Sequence, residues 1–331
     1  MDTGERKARV AWVSVISNTV LVILKLAVGL LIGSVSVLSE AIHSGMDLLA
    51  AVIALFAVKA AAKPADKTHP FGHGKVENVS GTVEAILIFL AAGWIVYEAV
   101  RKLIHPQALE TPGWGVAVML LSAVVNVVVS QQLFRVGRET NSVALLADAW
   151  HLRTDVYTSA GVTGSLAIIW VGESVFAGVH FDWLDPVAAV AIALLILRAA
   201  YRLTVQSARD LLDVSLPADE QQLIHEHIAG LCPAVRSFHD LRTRRVGNTR
   251  FVEFHMLVDA RMSVEESHRL TDEIADSIEQ HYPNTSVTIH IEPCRGDCNK
   301  QCSASCLLNE QQRGQVREAN GISGSKPRLS D

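Results

Sequence analysis

His43 and Asp47 stand four residues apart in "SEAIHSGMD", and His151 and Asp155 stand four apart in "ADAWHLRTD". The surroundings repeat too. Both stretches fit S-V-x-x-L-x-[ED]-A-x-H-x3-D, with Glu40 and Asp148 placed three residues before each histidine. Positions i, i+3 and i+7 share one stripe of a helix, because 3.6 residues make a turn. If the two helices face one another, two imidazoles and two carboxylates meet at one point, which is a tetrahedral donor set for a borderline divalent cation, above all Zn²⁺. The plainer alternative is a polar seam in which each histidine bonds an acid on the neighbouring helix. Two copies of the pattern favour the metal site. Glu40 and Asp148 could orient a ligand from behind or simply solvate a helix end.

These ionisable groups lie in apolar surroundings. Of 331 residues, 50% are hydrophobic and 19% charged, which is too apolar for an ordinary soluble domain. A helix needs about 20 apolar residues to cross a bilayer, and six segments qualify or nearly so: 10–32, 37–61, 79–103, 113–136, 143–170 and 183–205. A charge at membrane depth costs a few kcal/mol, so it persists by pairing or by lining a wet cavity. Lys25, in the middle of the first segment, has no pattern around it; a buried counter-ion or a snorkelling side chain accounts for it. The charged start "MDTGERKAR" runs into apolar sequence with no small-residue cleavage site, so the first segment reads as a retained anchor.

Arg6, Lys7, Arg9, Lys63, Lys67, Lys75, Arg135, Arg138, Arg202 and Arg209 gather at the ends of the segments on the N-terminal side, against Arg101 and Lys102 on the other. The expected orientation therefore has both termini in the cytoplasm, in a cell (inner) membrane. A net charge of −5 with no basic patch argues against a nucleic-acid partner.

After "LLDVSLPADE" the pattern becomes that of a small α+β domain: helix 218–231, strand 236–246, a turn at Gly247-Asn248, strand 249–259, helix 263–281 and strand 286–292. The expected organisation is a six-helix membrane domain (1–208), this domain (209–293) and a largely disordered, cysteine-containing tail (294–331). Cys294, Cys298, Cys302 and Cys306 form C-x3-C-x3-C-x3-C. On a helix that spacing spreads the thiols too far for one ion, whereas in a loop they could gather Zn²⁺ or Cu⁺; a reduced, mobile tail is the alternative. Five cysteines, four of them clustered near the end, do not make a dispersed disulfide framework.

The paired H-x3-D motifs, "HPFGHGK" between the second and third segments, and "FHDLRTR" with "TIHIEPC" resemble the cation diffusion facilitator family over nearly the whole chain to Cys294. The resemblance implies a homodimeric metal/proton antiporter with six membrane helices and a cytoplasmic ferredoxin-like domain. It makes His43, Asp47, His151 and Asp155 the transport site. The histidine at position 43 is similar to the zinc-type members, with Cd²⁺ as a chemical mimic; Mn²⁺ favours an oxygen-richer shell, and Fe²⁺, Co²⁺ and Ni²⁺ stay open. Metal-bound histidine must be neutral, so protons and metal compete for the same nitrogens.

The resemblance further implies a second metal at Asp66, His69 and His73, where the alternative is a hydrophilic turn. It implies a binuclear site at the dimer interface from His239, His255, His268, His290 and Glu292, with Glu292 standing where the family usually has Asp. It also implies a charge pair between Lys75 and Asp213 at the dimer hinge. Two other classes stay open: a membrane metal sensor that moves nothing, and an intramembrane metalloenzyme. Four good ligands speak against the latter, since catalytic zinc usually keeps an open position.

Overall fold

Long runs of Val, Ile, Leu and Ala satisfy their backbone groups internally as helices, the only open-ended solution that hydrocarbon permits. The computed structural model, described here for residues 3–32, 35–104, 114–175, 184–297 and 300–322, turns these runs into six helices: α1 (Thr3–Ile32), α2 (Val35–Ala61), α3 (Lys75–Ile104), α4 (Trp114–Glu139), α5 (Val143–Val175) and α6 (Leu184–Leu211). Among the described residues five are long and apolar enough to cross a membrane, all but α5. The first half of α5 carries Asp148, Arg153 and Asp155, which breaks its apolar run.

The polarity of this unit is inverted relative to a soluble bundle. Leu31, Leu30, Ile42 and Phe56 are exposed, while Asn18, Asp47, Glu77, Asn78, Glu84 and Asp148 are buried. That is the arrangement lipid imposes, because polar groups are cheapest where they face one another. Val10, Leu55, Val129, Leu133, Leu145 and Leu152 form a core shared by α1, α2, α4 and α5. A second core joins α3, α5 and α6 through Ile88, Ala147, Ile196 and Leu203. Gly81 lets α3 come close: a Cβ there would lie 2.6 Å from the Val143 side chain and 3.0 Å from Ser207 Oγ.

The second unit, Leu212–Asp331, is a domain of its own. It contains α7 (Ala218–Ala229), β1 (Ser237–Val246), β2 (Thr249–Asp259), α8 (Val264–His281), β3 (Thr285–Cys294), α9 (Lys300–Ala304) and α10 (Glu310–Ala319). The sheet runs β1-β2-β3, with β1 antiparallel and β3 parallel to β2. Strand alternation divides its faces. Phe238, Val252, Phe254 and Met256 pack with Ile224 and Ile228 of α7 and Ile274 and Ile278 of α8. Ser263 and Glu266 form a capping box that starts α8.

The expectation of a largely disordered tail does not hold over 300–322. Asn309 and Gln312 cap α10 reciprocally. Leu308 and Val316 join Leu257, Cys294 and Cys302 in a buried cluster, and Ser237 of β1 pairs with Cys306. A few apolar side chains among the polar ones suffice to dock the segment on the sheet edge.

Candidate metal centre

α2 and α5 face one another, and the histidine and second acid of each repeat meet. His151 Nε2 lies 3.0 Å from Asp47 Oδ1, and His43 Nε2 lies 3.4 Å from Asp155 Oδ1. Ligand atoms of His43, Asp47 and Asp155 all fall within 4.8 Å of one another. Each histidine thus pairs with the acid of the other helix, and His151, which is outside the three residues within 4.8 Å of one another, joins them through Asp47. The side chains of Asp47 and His151 are 3% and 11% exposed against 54% for His43, so the Asp47–His151 pair is the more deeply buried of the two. Asp155 Oδ2 is buried with no hydrogen-bond partner, leaving a free acceptor in the cluster.

Glu40 and Asp148 do not stand behind the histidines as orienting partners. Glu40 Oε2 lies 3.3 Å from Lys25 Nζ, which also donates to Ser44 Oγ at 2.7 Å. Asp148 is fully buried and neither carboxylate oxygen has a hydrogen-bond partner. Each acid shares the stripe of the histidine it precedes, and what draws Glu40 aside is the Lys25 ammonium on α1. Lys25 is therefore a buried counter-ion, one of the two readings its sequence allowed, and it belongs to this neighbourhood, a link that no spacing in the sequence indicates. A cavity of about 60 Å³ is lined by Lys25, Glu40, His43, Asp47, Asn126 and Asp155, among others.

Between α2 and α3, Asp66, His69 and His73 do converge, with ligand atoms within 4.8 Å. Asp66 Oδ1 accepts from Thr68 Oγ1 (2.7 Å), Thr68 N (2.8 Å) and His69 N (2.7 Å), an Asx turn that folds the loop back. Gly72, at φ +81°, completes the reversal. The Thr68 hydroxyl, followed by the His69 amide, holds the Asp66 carboxyl well below the usual carboxylate range. It therefore stays anionic and available to a cation.

In the tail domain, strand register produces the cluster. His239 sits opposite His255, and His255 opposite His290, in one row across three strands. Glu292, two residues past His290, reaches across the row. Its Oε1 is 3.0 Å from His255 Nδ1 and 3.8 Å from His290 Nε2, and its Oε2 is 3.6 Å from His239 Nε2. The extra methylene of Glu thus spans three imidazoles. Asp240 joins His239 and His255 in a second group, which alternation conceals. A break in register between His239 and Arg242, with Asp240 at φ +52°, places it there. His268, on α8, is exposed and pairs instead with Asp272 at 3.1 Å.

Lys75 Nζ approaches the Leu211 carbonyl at 3.4 Å, and Asp213 pairs with Arg244 at 3.6 Å; the two belong to different units. Cys294, Cys302 and Cys306 share the cluster at the sheet edge with Cys232, which the C-x3-C spacing does not include. Cys298 lies outside the described residues. Among the described residues no three thiols gather within ligand distance of one another.

Residues 11–212 match the family model described as the cation efflux transmembrane domain, and residues 216–294 that of the cation efflux protein, cytoplasmic domain. The chain belongs to the cation diffusion facilitator, or cation efflux, family. Cation diffusion facilitators are transporters of metal cations and not enzymes, and the helical unit is accordingly a multi-pass membrane domain. An uncharacterised transporter of Synechocystis sp. (strain ATCC 27184 / PCC 6803 / Kazusa) is 37% identical over 270 residues, covering 82% of this chain and 85% of that one. The cation-efflux pump FieF of Cronobacter sakazakii is 31% identical over 293 residues, covering 88% and 95%. A solved structure of the putative zinc transporter CzrB, zinc form, is 41% identical over 24% of this chain and 92% of that one, with a TM-score of 0.22.

Proposed function

We propose that this chain exports zinc-like divalent cations, Zn²⁺ first and Cd²⁺ as its mimic, from the cytoplasm in exchange for protons. The carrying observation is the crossed His43–Asp155 and His151–Asp47 pairing at the contact of α2 and α5. Two imidazole nitrogens with two carboxylate oxygens favour a borderline ion over the oxygen-seeking Mn²⁺. Because a proton on either histidine blocks its ligand nitrogen, each metal that binds displaces protons and each proton that arrives expels metal. Alternating access is achieved by rocking the helices that carry the site.

The tail domain would form a homodimer, with its histidine row and the Asp66 loop holding further metal for stability or sensing. Both termini would face the cytoplasm across the inner membrane, as the Lys and Arg bias directs.

Zinc-dependent proton movement in proteoliposomes carrying a pH gradient tests this reading. Asp155→Ala is expected to abolish flux while the protein stays folded and dimeric. A native protein that binds zinc and moves none under any gradient would make it a sensor instead.

A further inference from the structure

Lys25 is the one feature at this site that a metal-binding role does not call for. An ammonium group that is 6% exposed, within a membrane helix, sits on the wall of the same cavity as His43, Asp47 and Asp155. Burying a cation there is costly unless it is paired. Its recorded partners are Ser44 Oγ at 2.7 Å and Glu40 Oε2 at 3.3 Å, both on α2 and both beside the ligand His43. The ammonium has three donors, and these two contacts occupy two of them.

The placement along the helices is informative. Lys25 lies about two turns before the end of α1, and Glu40 about one turn closer to the start of α2 than His43. The pair therefore lies on the α1–α2 connection side of the metal ligands. On the α2 stripe, Glu40, His43 and Asp47 are successive oxygen, nitrogen and oxygen donors about one turn apart, a ladder on which a cation can step. Across the cavity the Asn126 side chain is 7% exposed and its Oδ1 has no hydrogen-bond partner, a free acceptor on the wall.

We propose that Lys25 and Glu40 form an ion-pair gate on the α1–α2 side of the transport site. Glu40 accepts the departing divalent cation when Lys25 releases it, and the tethered Lys25 charge keeps that cation from stepping back. This rests on the transport reading of the four ligands. A fixed positive charge in the same small cavity raises the energy of a bound divalent ion, because Coulomb interactions are strong where water is scarce. It thus trades affinity for release, as an exporter that must let go of its cargo requires.

The test compares full-length native protein with Lys25→Met, Lys25→Arg and Glu40→Gln, each checked for its dimer by size exclusion. Zinc is the probe, read as kcat and KM for flux in proteoliposomes. Kd is read by chelator competition in a background carrying His73→Ala and His255→Ala, which silences the loop and tail clusters. Lys25→Met is expected to tighten Kd at least about tenfold, the equivalent of ~1.4 kcal/mol, and to lower kcat by a similar factor. Lys25→Arg keeps the charge and should stay within about threefold, while Glu40→Gln frees the ammonium and should weaken Kd at least about threefold.

A Lys25→Met protein whose Kd and kcat both stay within about twofold of native overturns the gate and leaves Lys25 as a helix–helix tie. Should Lys25→Met not fold, Glu40→Gln decides, since Glu40 is partly exposed; an unchanged Kd there overturns the proposal as well. Native protein that binds zinc but moves none defeats the transport reading, and the Kd series still judges the effect of the Lys25 charge separately.

Discussion

Glu220, at the start of α7, stands where burial and charge pull in opposite directions. Desolvation pushes its carboxyl up, yet Arg250 and Arg245, at 2.7 and 2.6 Å, pull it down by more, and it comes to rest below the usual range. A carboxyl depressed in the folded state stabilises the fold fully above its unfolded value of about 4.3, and that stability is lost as pH falls through the lower folded value. Glu220→Gln is expected to cost about 1 kcal/mol at neutral pH, discounted for the water that still reaches the pair. It should also shrink the difference between urea midpoints at neutral and acid pH, read by pulse proteolysis of the tail domain. An equal pH dependence in both proteins would count against the ion pair. Residues of this kind were legible in the sequence only where a pattern exposed them. His43, Asp47, His151 and Asp155 announced themselves because one spacing occurs twice. Lys25 occurs once, so it could be read as a buried counter-ion but not matched to Glu40, and Asp240 drew no reading, because only a local break in register brings it beside His239.

Helices and strands were easier to place than their partners. Every apolar segment became a helix, but most helices run past the apolar stretch: α3 begins at Lys75 and α6 ends at Leu211, where 79–103 and 183–205 were expected. Hydropathy measures the length that suits hydrocarbon, whereas a helix continues until its backbone finds other partners. One of those overhanging turns holds the bundle together. Lys7 of α1 and Glu77 of α3 pair at 2.6 Å, with side chains 4% and 1% exposed, and Ser142, just before α5, donates to the same carboxylate. Removing one partner of a buried pair leaves an uncompensated charge, so Lys7→Met should destabilise the helical unit by about 3–5 kcal/mol. Lys7→Met with Glu77→Leu should cost less than Lys7→Met alone. Thermal unfolding of the detergent-solubilised protein checks this, and a double variant worse than the single would defeat it. No periodicity in α1 or α3 foretold the pairing, because it joins residues 70 positions apart.

At the scale of the whole chain, the sequence correctly announced an apolar helical part followed by a small sheet domain, and it misread the end. Gly, Ser and charge in 294–331 suggested disorder, although the Asn309…Gln312 spacing already carried a helix-start signal. Average composition hides the few side chains that dock, here Leu307 on the sheet core and Leu308 and Val316 at its edge. A chain ending at Asp297 should therefore lose tail-domain stability, by about 1.5–3 kcal/mol for each buried side chain left out, seen as a lower urea midpoint; an unchanged midpoint would return the segment to the status of an appendage. The row of histidines carries a different lesson. His255 and His290 alternate along β2 and β3 with Phe254, Met256, Ile289 and Ile291, which fill the core. Sliding either strand by a single residue would expose that strand's core set and turn its imidazole inward. Correct assembly and metal-readiness are thus one event in this sheet, and a bound ion would act as a proofreader of its own scaffold, present only where the strands have been joined in their proper frame.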